Sequence, residues 1–113
     1  MTRKEIATII NSVGVPTAYY QFDEETVKRE NIKPPFICFY YDRSSDLYAD
    51  NSNYEKIRVL IIELYSDAKD FILEATIENT LNQNEITYTK NEAFIDDEKL
   101  FMTTYESEVL LNG

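Results

Sequence analysis

The segment from Pro34 to Asp70 constrains the fold more than any other part of this chain. Two apolar runs, FICFYY and IRVLIIELY, are rich in β-branched and aromatic residues, and a polar stretch separates them. Such runs favour pleated, packed surfaces. The first predicts a strand over Phe36–Asp42, with Phe36, Cys38 and Tyr40 on one face and Ile37, Phe39 and Tyr41 on the other. The second predicts the longest strand, Tyr54–Tyr65, with Ile57, Val59 and Ile61 opposite Leu60, Ile62 and Leu64. Arg43–Asn53 between them is rich in Ser, Asp and Asn and reads as the loop of a hairpin. A strand apolar on both faces must be covered twice. With only two strong helical patterns in the chain, a neighbouring subunit is one candidate for the second cover.

The first of those helices is predicted over Thr2–Val13. Thr2 and Glu5 form a capping box, and Ile6, Ile9, Ile10 and Val13 recur on one stripe. Gly14 and Pro16 then end it. Thr17–Phe22 reads as a short strand, and DEETVKREN as a loop or a helical turn that Pro34 and Pro35 bring to an end. The second helix is predicted over Ala68–Asn82, capped by Ser66-Asp67, with Leu73, Ile77 and Leu81 in register and Phe71 and Thr80 beside them. Glu85–Lys90 reads as a half-exposed strand and Asn91–Lys99 as an acidic turn. Leu100–Leu110 reads as a final strand with Phe101, Tyr105 and Val109 on one face. Leu110 and Leu111 leave an apolar end that needs cover. The order αβββαββ predicts one α+β domain over residues 1–113: a mainly antiparallel sheet with two helices packed on one face.

Composition narrows the function. There are 21 acidic and 11 basic residues, a net charge of −10, so direct nucleic-acid or anionic-membrane binding is disfavoured. That charge fits simple solubility, a surface that repels DNA, or one that imitates it. No apolar run approaches the ~20 residues that span a bilayer. The chain has no histidine and a single cysteine, so no Ser-His-Asp or Cys-His arrangement, imidazole ligand or internal disulfide can form. Cys38 lies in an apolar strand and reads as buried filler, in keeping with a reducing cytoplasm. The clusters Asp23-Glu24-Glu25 and Asp96-Asp97-Glu98 lack the spacing of a calcium loop and read as solvated turns. No enzyme, metal or cofactor is expected.

Contact residues are sought instead. Leu47 and Tyr48 form an apolar pair in a polar loop, with Arg43 and Asp46 beside them. They offer an interface, or else they fold back onto the core. Lys56 and Arg58 are the basic pair of the longest strand. They bridge to acids on a neighbouring subunit, or they mark an exposed strand end.

The whole order of elements resembles small neck and tail proteins of long-tailed bacteriophages, above all the tail-terminator or tail-completion group. The resemblance is carried by the amphipathic TRKEIATIINSV, the PPF lead into FICFYY, YADNSNYEKIRVLIIELYSDAKD running from hairpin to helix, and the closing EITYTK and LFMTTYESEVL. It implies an α+β subunit that forms a homo-oligomeric ring, a hexamer in the assembled particle. The ring caps the tail tube, meets a neck or head-completion protein, and lets DNA pass without specific binding. It is assembled in the bacterial cytoplasm and resides at the tail or neck of the virion. A head–tail joining neck protein is the close alternative. A small acidic DNA mimic or immunity-type inhibitor, binding a basic partner one to one, is the alternative from another class.

Overall fold

A computed structural model describes residues 1–42 and 56–112. The elements are α1 (Arg3–Asn11), β1 (Thr17–Tyr19), α2 (Glu24–Glu30), β2 (Phe36–Asp42), β3 (Lys56–Ser66), α3 (Phe71–Gln83), β4 (Thr89–Ile95) and β5 (Leu100–Leu111). The α+β class holds. The strands form one mixed sheet in the order β1-β2-β3-β5-β4.

β3 and β5 are its spine. They pair antiparallel from Lys56↔Leu111 to Ser66↔Phe101. β2 pairs antiparallel with β3 on one side, and β4 with β5 on the other. The predicted alternation of faces in β3 is found. Leu60, Ile62 and Leu64 are buried on one face together with Ile37 and Phe39 of β2 and Tyr105, Val109 and Leu111 of β5. α1 lays Ile6 and Ile10 onto this face, and α3 lays down Ile77 and Leu81. Packing these large side chains stabilises the domain by roughly 1.5–3 kcal/mol each.

α1 begins as its sequence dictates. The Thr2 hydroxyl accepts from the Glu5 amide at 3.1 Å, and the Glu5 carboxylate accepts from the Thr2 amide at 2.8 Å. These two bonds hold the Glu5 carboxyl below its ordinary range. Residues at the strand ends are also covered within the chain. The Met1 ammonium donates to the Leu110 carbonyl, and the Asn112 amide to the Met1 carbonyl, each at 3.0 Å. Val109 and Leu111 are thereby buried, and only Leu110 of that apolar run stays exposed.

Four expectations need correction. First, there is a third helix, α2, in the stretch read as loop or turn. Asp23 caps it by accepting from the Thr26 amide at 2.7 Å, acids fill its first turn and Lys28 and Arg29 its last, and Asn31 closes it in the left-handed region. None of its residues is buried, so no hydrophobic period announced it.

Second, α2 is not on the face of α1 and α3. Val27 and Ile32 share a groove with Phe36, Cys38, Tyr40, Glu63 and Tyr65, which point to the opposite face. α2 therefore borders the second face across an open groove and buries none of its own residues there.

Third, β1 and β2 pair parallel, from Thr17↔Ile37 to Tyr19↔Phe39. A parallel neighbour needs a long crossover, and the segment through α2 supplies it.

Fourth, β4 lies over Thr89–Ile95 rather than Glu85–Lys90, and the turn shrinks to Asp96–Lys99. β4 is almost wholly exposed, so apolar alternation could not mark it. Ile86 and Tyr88 instead pack into the core from an irregular link. The α3 cap also differs: Asp70 accepts from the Leu73 amide at 3.0 Å, and Phe71 points to solvent.

Candidate functional site

Three surfaces stand out, and the elements just described build each of them. The first is the groove between α2 and the second sheet face, about 530 Å³ in volume. β2 supplies Phe36, Cys38 and Tyr40, β3 supplies Glu63 and Tyr65, and Glu98 reaches it from the β4–β5 turn. Tyr20, Phe22, Val27 and Ile32 form the α2 side.

Its walls are aromatic pairs. Phe36 stacks on Tyr65 with ring centroids 5.1 Å apart, Phe22 meets Phe36 edge-on at 5.5 Å, and Tyr20 tilts against Tyr40 at 5.3 Å. On its floor, the Glu63 Oε1 accepts from the Tyr65 hydroxyl at 2.8 Å, and Oε2 accepts from Tyr40 at the long limit of 3.5 Å. Burial, then Glu63, pushes the Tyr65 and Tyr40 hydroxyls above their ordinary range, so both stay protonated donors. The same two causes push the Cys38 thiol up to about 11, which leaves it a poor nucleophile at neutral pH.

Tyr20 is held unusually. Its φ is 72°, and its flanking residues close a three-residue turn in which the Gln21 amide donates to the Tyr19 carbonyl at 2.8 Å. A bulky side chain in this region is strained by about 1–3 kcal/mol. The Tyr20 amide, bonded to the Phe39 carbonyl at 2.7 Å, fixes that geometry.

The second surface is a charge cluster between α3, β4 and β5. Glu74 is only 3% exposed and sits between two lysines, with Lys69 at 2.5 Å and Lys90 at 2.8 Å. Lys69 also pairs with Glu92, and Lys90 with Glu78 at 2.7 Å. Glu78 further accepts from the Tyr105 hydroxyl at 2.9 Å. Burial alone would push the Glu74 carboxyl up, but the two lysines outweigh it and hold it below its ordinary range. Glu74 and Glu78 in turn raise Lys90. The cluster is internally neutralised apart from one negative charge, and it braces α3 against the β4–β5 hairpin.

The third feature is a pair of unlike apolar patches at the two edges of the sheet. At the β1 edge, Tyr19 and Tyr20 are exposed on opposite faces: Tyr19 meets Phe39 and Tyr41 on the face of α1 and α3, whereas Tyr20 (64% exposed) meets Tyr40 in the groove that Val27 also lines. At the β4 edge, Phe71 (72%) and Ile72 (83%) lie at the start of α3, and Phe94 packs edge-on against Phe101 at 4.9 Å. The Lys69 ammonium, 5.2 Å from the Phe71 ring and 5.9 Å from Phe101, ties these rings together.

Among the residues expected to make contacts, Arg43, Asp46, Leu47 and Tyr48 lie outside the described residues. Lys56 and Arg58 fall in β3, in register with Leu111 and Val109. Arg58 is half-buried, with its Nη1 3.4 Å from the Ile57 carbonyl. It is not among the residues that line the groove. Glu63 and Tyr65 were missed. A carboxylate breaking an apolar run, as Glu63 does in LIIELY, is the signal that could have found them. Among the described residues no cluster of acids could hold a metal ion, and no helix is long and apolar enough to cross a membrane.

No protein-family model matches this chain, and a search of curated proteins finds no relative of it.

Proposed function

We propose that this chain is a structural subunit of a phage or prophage tail, a tail terminator that acts without catalysis as a ring. In this reading the ring caps the tail tube and offers a docking surface to the head or neck. The observation that carries it is the unlike sets of exposed apolar side chains at opposite sheet edges: Tyr19 and Tyr20, one on each face, at β1, and Phe71, Ile72 and Phe94 on the β4 side. Apolar patches of this kind mark association surfaces. Two different patches on opposite sides favour head-to-tail contacts, which close into rings when the rotation allows. The order of elements that resembles the terminator group supports the same reading. The excess of 21 acidic over 11 basic residues suits a ring that DNA crosses without sticking.

Particle assembly without this protein, imaged by negative-stain electron microscopy, tests the proposal. Full heads beside tails of uncontrolled length are expected. Tails of normal length with unjoined heads would move the role to the neck. Normal infectious particles would reject both and favour an acidic inhibitor of a basic partner.

A further inference from the structure

The groove under α2 differs from the rest of the molecule in one chemical respect. It holds two carboxylates, Glu63 and Glu98, among aromatic rings, and no lysine or arginine lines it among the described residues. The buried Glu74 is neutralised by Lys69 and Lys90. Among the described residues Glu63 is held by tyrosine hydroxyls instead.

The Glu63 carboxylate is arranged in a specific way. Tyr65 bonds one oxygen and Tyr40 approaches the other. A carboxylate oxygen has two lone pairs, so each retains one for a further donor. Two parallel free acceptors suit a planar fork of N–H groups, the geometry of a guanidinium. The walls agree. Flat tyrosine and phenylalanine faces stack against guanidinium better than they enclose a compact, strongly hydrated ammonium. The groove volume, about 530 Å³, lies within the range of ~300–1,000 Å³ typical of binding pockets. It has room for a long side chain together with some of its backbone.

We propose that this groove is a docking site for an arginine side chain presented by a partner protein. Its guanidinium lies between the aromatic walls and takes both free acceptor positions of Glu63. Glu98 at the rim adds attraction during approach. Tyr65 is a positioning residue: its hydroxyl holds one oxygen of the Glu63 carboxylate at 2.8 Å. The inference is argued from the groove, whose wall residue Tyr20 also belongs to the β1-edge surface of the proposed ring.

The test is an amide NMR titration of the full chain with capped Gly-Arg-Gly, and with the matching citrulline and lysine peptides. Saturable shifts at Cys38, Glu63 and Tyr65 are expected with the arginine peptide, and none with citrulline, which keeps the shape and loses the charge. Glu63→Gln should weaken binding by about tenfold or more, because the charge-assisted fork is lost. Tyr65→Phe, which keeps the ring and the groove volume, should weaken it by a smaller factor. Equal shifts with citrulline, or undiminished binding by Glu63→Gln, would overturn the site. Lysine binding as tightly as arginine would overturn the guanidinium assignment.

Discussion

Glu74 and Glu63 are both glutamates on regular elements, and they are used in opposite ways. Glu74 is a buried residue of α3 with two lysines against it. Glu63 lies across the sheet, where its partners among the described residues are the hydroxyls of Tyr40 and Tyr65. The first arrangement is closed: its charges are spent on holding α3 to β4 and β5. The second is open, with acceptor capacity left over. Charge in this acidic chain is therefore not uniform decoration. Pairing marks where it serves the fold, and the lack of a cation among the described groove residues marks where it can serve recognition.

Substitution should separate the two regions. Glu74→Ala removes the buried carboxylate that joins Lys69 and Lys90, which keep Glu92 and Glu78 as partners, and is expected to cost about 1–3 kcal/mol. Glu63→Gln is expected to cost less than about 1 kcal/mol, as a near-isosteric change at a group without an ion pair. Urea denaturation of the two variants measures both, and equal losses would break the comparison.

The pH dependence should sharpen it. The folded state holds the Glu74 carboxyl below its ordinary value of 4.5. The unfolded chain then binds more protons in that region, so stability is full above about pH 4.5 and is lost as the pH falls through the folded value. Glu74→Gln should flatten this acid limb. Denaturation midpoints followed between neutral and acid pH would show it.

The smallest effect concerns Cys38. It borders the groove yet is 5% exposed, and burial and Glu63 push its thiol up to about 11. Its reaction with a disulfide reagent at neutral pH should be slower than that of a free thiol by roughly a hundredfold, from thiolate fraction alone. Fast labelling of the folded chain would mean that the groove opens more widely than its walls suggest.

Much of this architecture was legible in the residues. The capping box of α1, the two faces of β3 and the limits of β2 follow from local chemistry and strict alternation, and these are the parts that build the core. α2 and β4 were obscured for one shared reason. Neither buries an apolar stripe, so neither carries a period, and each is held by other means: a cap and a crossover for α2, lysine pairs and the β5 ladder for β4. The parallel β1–β2 pair was hidden behind the unrecognised crossover. The groove was hidden further, because it joins residues from both sides of that crossover with one from the β4–β5 turn. Only the topology brings them together.

The strand order has a consequence for the order of events in the cell. β5, the last strand, is inserted between β3 and β4 rather than added at an edge. Until Leu100–Leu111 is available, β3 has no partner on that side, and the long ladder from Lys56↔Leu111 to Ser66↔Phe101 cannot begin to close. Such distant pairings form slowly, because chain closure must precede the contacts that reward it. During synthesis the β2–β3 ribbon therefore has an open flank until β5 has emerged. The nascent protein is most exposed to aggregation in that interval. Shortening β5 even slightly at its far end should cost far more yield than an equal cut in the exposed β4.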